Sequence, residues 1–183
     1  KRFRILHANI TFDDIETREE RYKHDRFTAI RDVFEMFNEN LGKVIVPNEH
    51  LALDESLIAS RNRSSLKNFN PAKPAKYGLL FRSVNAVSYP FTFVTTVASG
   101  KPPEGTGPYY DGSVFELVKT LISRLQVSVD IRGRNLTCDR YYTSYDLVEF
   151  LLEQKITFVG TLNHNRRGVP KEIKSSHNRQ TFD

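Results

Sequence analysis

Three stretches in the middle of the chain are patterned with apolar residues and separated by turns, and apolar residues recur with a helical period over three others. Residues 50–59, 77–87 and 91–97 read as strands, the last two separated by Tyr89-Pro90, which suits a hairpin connection. Phe27, Ile30, Val33, Phe34, Phe37 and Leu41 fall on one helical face, with Gly42 placed to end that helix. A second helix is expected from the apolar face Val114, Leu117, Val118, Leu121, Ile122 and Leu125, opened by the capping box Ser113 and Glu116. A third has Thr143 or Ser144 as its cap and Leu147, Val148, Leu151 and Leu152 as its inner face. Short strands are expected at 135–139 and 156–162. The charged stretch from Thr11 to Arg21 reads as a loop or solvated turn, and the Gly- and Pro-rich residues 100–111 read as a loop. The polar, basic tail from Asn163 carries no pattern that assigns it.

Three strands in series, followed by helix, strand, helix and strand, give an α/β chain with a mixed sheet. The opening strands pair antiparallel and the later ones need crossovers. This is the strand order of RNase H-like nucleases. The chain divides into a mainly helical segment, 1–48, and an α/β part, 49–183. It starts at Lys1 rather than at a methionine, and its end carries no natural terminator pattern, so it reads as a piece of something longer, truncated before the end of such a core.

Composition narrows the chemistry. Thirteen Phe and eight Tyr supply a core. Cys138 is the only cysteine, so an internal disulfide and a cysteine-built zinc site are both excluded. The five histidines have no metalloprotease spacing. No apolar run is long enough to span a bilayer, and nothing at the start resembles a signal peptide. The net charge of +5 is compatible with a polyanion, and equally with an ordinary soluble protein.

Two aspartates stand out. Asp54 interrupts the apolar strand Leu51-Ala52-Leu53, and Asp139 ends the strand Leu136-Thr137-Cys138. Aspartate is a poor strand residue and costly to bury without a partner. On neighbouring strands the two carboxylates could share a hard cation such as Mg2+ (or Mn2+). The plainer alternative is that each marks a strand end and bonds to a turn. Glu55, next to Asp54, should point to the other sheet face. Cys138 reads as a small buried residue, and Tyr141 and Tyr142 as core residues or as platforms for DNA bases.

Charge is also unevenly spread. No acidic residue lies between Glu55 and Glu104, while Arg61, Arg63, Lys67, Lys73, Lys76, Arg82 and Lys101 do, interleaved with Phe69, Tyr77 and Phe81. Such a stretch can track a phosphate backbone, or be a solvated loop.

Four blocks then occur in order: Leu53-Asp54-Glu55-Ser56-Leu57, Asn70-Pro71-Ala72-Lys73-Pro74-Ala75-Lys76-Tyr77-Gly78, Leu136-Thr137-Cys138-Asp139-Arg140-Tyr141-Tyr142-Thr143-Ser144 and Phe158-Val159-Gly160-Thr161-Leu162. Together they resemble the piggyBac transposase family over about residues 50–175. Ile10-Thr11-Phe12-Asp13-Asp14 and Phe27-Thr28-Ala29-Ile30-Arg31 resemble the stretch before the catalytic core there. The resemblance implies an RNase H-like core that excises and inserts double-stranded DNA with a divalent metal. It implies that Asp54 and Asp139 are the first two catalytic, metal-holding aspartates, and that the third lies downstream in a part with no match here. It further implies a nuclear protein that acts at transposon ends and target DNA, with a homodimer as the candidate assembly. Two departures are visible: the family's C-terminal cysteine-rich zinc module has no counterpart, and Leu80 stands where the family often has a basic residue. Two other readings stay open: a transposase-derived host protein that binds DNA without cutting it, and an RNase H-like interaction module.

Overall fold

The computed structural model describes residues 1–163 and Val169. The expected strand at 156–162 is shorter than its apolar run, and the tail beyond Asn163 lies largely outside the described residues.

The helical first part contains α1 (Arg2–Ala8), α2 (Ile15–Tyr22), a single 3-10 turn (Thr28–Ile30) and α3 (Arg31–Val44). Then follow β1 (His50–Ala59), β2 (Asn68–Phe69), β3 (Tyr77–Ala86), β4 (Thr92–Val97), α4 (Val114–Ser128), β5 (Asn135–Cys138), α5 (Tyr145–Glu153) and β6 (Thr157–Gly160). The sheet runs β2-β3-β1-β5-β6, with β4 also paired to β3. β1, β3 and β4 are successively antiparallel, while β5 lies parallel to β1 and β6 parallel to β5. This is the mixed sheet expected from the order of the patterns.

One face of the sheet carries the main core. Leu51 and Leu53 of β1, Val84 of β3, Val94 of β4, and Leu136 and Cys138 of β5 turn inward. They meet Leu117, Val118, Leu121, Ile122 and Leu125 of α4 and Leu147 and Leu151 of α5. Ser113 caps α4 by accepting the Glu116 N–H at 3.2 Å, and Ser144 caps α5 by accepting the Leu147 N–H at 3.3 Å. Leu152, expected inside, is 58% exposed, because the nine residues of α5 turn it past the edge of the core.

α3 lies along the outer edge of β4 beside α4, and it meets them with its polar side. Arg31, Asn38 and Gly42 are its buried residues, whereas Val33 and Phe37 are 41% and 55% exposed. The apolar stripe read from the sequence is therefore only partly the packing face. Asn38 explains why. Its side chain donates to Thr95 O and accepts from Thr95 N, both at 2.9 Å, and so completes the outer edge of β4 as a neighbouring strand would. Gly42 does not end the helix. It is buried against α4, where a Cβ would sit 2.6 Å from Cβ of Ser128. Asn38→Ala should strand both backbone groups of Thr95 and cost roughly 2 kcal/mol or more. Urea unfolding would measure this, and an unchanged midpoint would refute the edge-capping role.

The charged stretch expected as a loop contains α2. It has little apolar face, so no periodicity announces it. Asp14 caps it by accepting the Glu16 N–H at 3.0 Å, and Asp13 holds Arg18 and Arg21 on one side of the helix.

Candidate functional site

Parallel pairing of β1 and β5 brings the two singled-out aspartates together. The register runs from His50 opposite Asn135 to Leu53 opposite Cys138. One residue further, Asp54 comes opposite Asp139, on strands spaced by about 4.8 Å. Leu53 and Cys138 turn into the core, so strand alternation sends the two carboxylates to the other face. There the β1–β5–β6 portion of the face is open among the described residues: Asp54, Ser56, Thr137, Thr157 and Asp139 are all exposed.

Both carboxylates are partly committed to local backbone. Oδ1 of Asp54 accepts the N–H of Glu55 at 2.7 Å, and Oδ1 of Asp139 accepts the N–H of Tyr141 at 2.9 Å. The turn-bonding role thus exists, but it uses one oxygen of each group. Both residues are exposed, and hard anionic oxygens are the donors a Mg2+ or Mn2+ ion takes. The residues therefore fit two ligand positions of such an ion. No group of three His, Cys, Asp or Glu side chains suited to a metal occurs among the described residues.

Beneath the aspartates lies a network that the sequence did not suggest. Tyr142 is 1% exposed, and its hydroxyl donates to Oε2 of Glu55 at 2.9 Å. Burial first, and then the facing Glu55 carboxylate, push this hydroxyl far above the usual phenol range, so it stays a proton donor. Glu55 indeed points away from the Asp54 face, as expected. Cys138 is buried, and burial followed by the charge of Asp139 pushes its thiol up to about 12, so it is no nucleophile. The only signal for the network was the side-by-side placement of Glu55 with Asp54 and of Tyr142 with the Asp139 turn.

The basic residues divide into two groups. Arg61, Arg63, Lys67 and Lys76 are exposed on the segment that links β1 to β3. Lys73 is half-buried and donates to the backbone carbonyl of Glu55 at 3.0 Å, which brings this segment beside Asp54. Bonds among Asn70, Ala72, Lys73 and Lys76 close the segment into tight turns, with Lys76 in the left-handed region at φ 52°. The rings of Phe69 and Tyr77 lie 4.7 Å apart, tilted by 34°, with 59% and 53% of their surface exposed, and the Lys67 ammonium lies 5.9 Å from the Tyr77 ring. Phe81 is not part of this surface, because its ring packs against Phe34 of α3. Arg82 is also set apart. It faces Glu55 across β1 and β3, on the side that carries the helices. It lines a cleft of about 310 Å³ with Asn68, Tyr109, Tyr110 and Tyr141. Its Nε is buried and has no hydrogen-bond partner among the described residues.

A family model described as Transposase IS4 matches residues 1–183. Among solved structures, the chain is similar to a piggyBac transposase seen by cryo-electron microscopy in a synaptic complex with hairpin DNA. The two share 29% sequence identity with a TM-score of 0.82 over 100% of this chain. That match covers 38% of the transposase chain.

Proposed function

The chain belongs to the Transposase IS4 family, of the piggyBac type, and from that premise we propose that it carries part of the centre for metal-dependent DNA cleavage and strand transfer. One observation carries the reading: Asp54 in the middle of β1 and Asp139 just past the end of β5 lie on adjacent parallel strands, and both are exposed. Asp54 and Asp139 would hold Mg2+ or Mn2+, and the set is completed by a carboxylate outside these 183 residues. Bound there, the ion would supply Lewis acidity to the attacking and leaving oxygens of a phosphodiester. The chain's own contribution is to hold two carboxylates at a fixed spacing and to seat the DNA strand beside them. On the same reading the protein works in the nucleus on double-stranded DNA, both transposon ends and target, with a second copy as its candidate partner. The intact protein should nick transposon-end duplexes in Mg2+ and stop when the ion is chelated, whereas residues 1–183 alone should not cut. Cleavage that persists in excess chelator would refute the metal-dependent reading.

The β1–β3 segment is the proposed path of the phosphate backbone. Arg61, Arg63, Lys67 and Lys76 are exposed and Lys73 is half-buried beside them, the interval from Ser56 to Pro103 holds no acid, and the Phe69–Tyr77 pair offers π-faces at its edge. Replacing Arg61, Lys73 and Lys76 with Gln should weaken duplex binding across unrelated sequences. It should also flatten the salt dependence by roughly one counterion for each phosphate that is no longer neutralised. Anisotropy titrations at several salt concentrations measure both quantities, and an unchanged slope in the triple variant would remove this segment from the interface.

A further inference from the structure

The β1–β5 ladder stops one residue short of the aspartates, at Leu53 and Cys138. Something else must fix the spacing beyond it. The Tyr142 hydroxyl, bonded to Glu55 at 2.9 Å, crosses the same gap one step further on. We infer that this bond is the fastener that sets the distance between Asp54 and Asp139, making Tyr142 and Glu55 positioning residues for metal binding. The inference rests on the reading of the two aspartates as metal holders and deepens it.

Each end of the bond is rigidly joined to one aspartate. Glu55 is the next residue after Asp54, and its backbone carbonyl is held by Lys73 at 3.0 Å. Tyr142 belongs to a closed turn that starts at Asp139. The Asp139 carbonyl accepts the N–H of Thr143 at 3.2 Å and its hydroxyl at 2.9 Å, while the Asp139 carboxylate accepts the N–H of Tyr141. The turn therefore moves as a block, and the Tyr142 ring anchors that block in the core. Stability alone does not explain the hydroxyl. A phenylalanine would fill the same space without a polar atom to bury, and a half-buried carboxylate is costly unless bonded. What the pair adds is a single geometry. Outer partners of this kind orient metal ligands, and losing one typically lowers metal affinity by about 10- to 100-fold.

The test uses the intact protein with Tyr142→Phe, Glu55→Ala, Glu55→Gln and the double variant Tyr142→Phe/Glu55→Ala. Mn2+ binding is read directly by electron paramagnetic resonance, beside melting temperature, duplex affinity and the Mg2+ concentration for half-maximal nicking. Tyr142→Phe and Glu55→Ala should each weaken Mn2+ binding about tenfold and raise the half-saturating Mg2+ to match. Nicking should recover at high Mg2+, and duplex affinity should not change. The double variant should be no worse than either single one. Glu55→Gln should bind Mn2+ like the parent, since its amide oxygen still accepts from the hydroxyl. A merely structural tyrosine would lower the melting temperature and leave Mn2+ affinity intact, and that result overturns the inference. So does a Glu55→Gln protein that loses Mn2+, because Glu55 would then be a ligand itself. Should Tyr142→Phe not fold, equal Mn2+ affinities for Glu55→Gln and Glu55→Ala would suffice to overturn it. An Asp54→Asn protein that binds Mn2+ like the parent would instead sink the underlying reading of the aspartates, whatever the tyrosine variants do.

Discussion

Asp54→Asn in the intact protein should reduce nicking and strand transfer by about a thousandfold or more, which is over 4 kcal/mol of barrier, while duplex binding stays at the parental level. The substitution changes almost nothing in shape. Asparagine keeps an oxygen for the Glu55 N–H that Asp54 Oδ1 accepts at 2.7 Å, so the local turn survives. The position is exposed, so the fold loses no burial there. What disappears is one negative charge and one strong donor for a hard cation. Both chemical steps need that cation, so both should fall together. Binding depends on the cations of the β1–β3 segment and should be spared. The assay follows labelled transposon-end DNA on denaturing gels beside anisotropy binding. Asp139→Asn should behave in the same way. A protein carrying both substitutions that still cut transposon ends in Mg2+ would end the assignment.

The elements that could be read from the sequence are those whose burial follows their periodicity. β1 alternates, β3 and β4 are apolar-rich runs bounded by turn residues, and α4 buries the face that its spacing predicts, so the sheet and its main core were legible. Asp54 and Asp139 were legible for the opposite reason. Asp54 interrupts an apolar strand and Asp139 follows one, and the parallel pairing of those strands stops one residue before the two. Polar burial was not legible. α3 packs through Arg31, Asn38 and Gly42, because specific partners satisfy the first two and α4 approaches closely at the third. An apolar-stripe argument turns such a helix the wrong way. α2 depends on a cap and on charge pairs rather than on an apolar face, so it had no period to find. Arg82 shares an acid-free interval with the other cations, but strand alternation turns it to the helix-bearing side opposite Glu55. Linear charge patterning carries no information about sheet faces. The Tyr142–Glu55 bond joins residues 87 positions apart and depends on a parallel crossover that no local pattern specifies.

Asp25→Ala should destabilise the protein by about 3–5 kcal/mol, the usual cost of removing one partner from a buried ion pair. Arg31 is 4% exposed at the start of α3, and Asp25 is 7% exposed. The pair is bidentate: Asp25 accepts Arg31 Nε at 2.7 Å and Nη2 at 3.0 Å, and also the N–H of Phe27 at 2.9 Å. Nη1 of Arg31 reaches Glu35 at 3.0 Å, and Glu35 pairs with Arg124 of α4 at 3.0 Å. The guanidinium lies 4.0 Å from the centre of the Tyr109 ring and 5.0 Å from that of Phe27. Burial works against the charge of Arg31, but the bonds to Asp25 and then Glu35 outweigh it and raise its pKa above the ordinary value. Without Asp25 the charge keeps only Glu35, and the Phe27 N–H is left without its acceptor. The chain before α3 would then lose its bidentate tie to the start of α3. Arg31→Lys should also cost stability, since a lysine cannot form the fork or lie flat on the ring. An apolar replacement of both partners, Asp25→Leu with Arg31→Met, should cost much less than Asp25→Ala, because no charge is then stranded. Urea unfolding of the four proteins decides the matter. A loss below about 1 kcal/mol for Asp25→Ala, the scale of an exposed pair, would show that this cluster does not hold the N-terminal helices to the sheet.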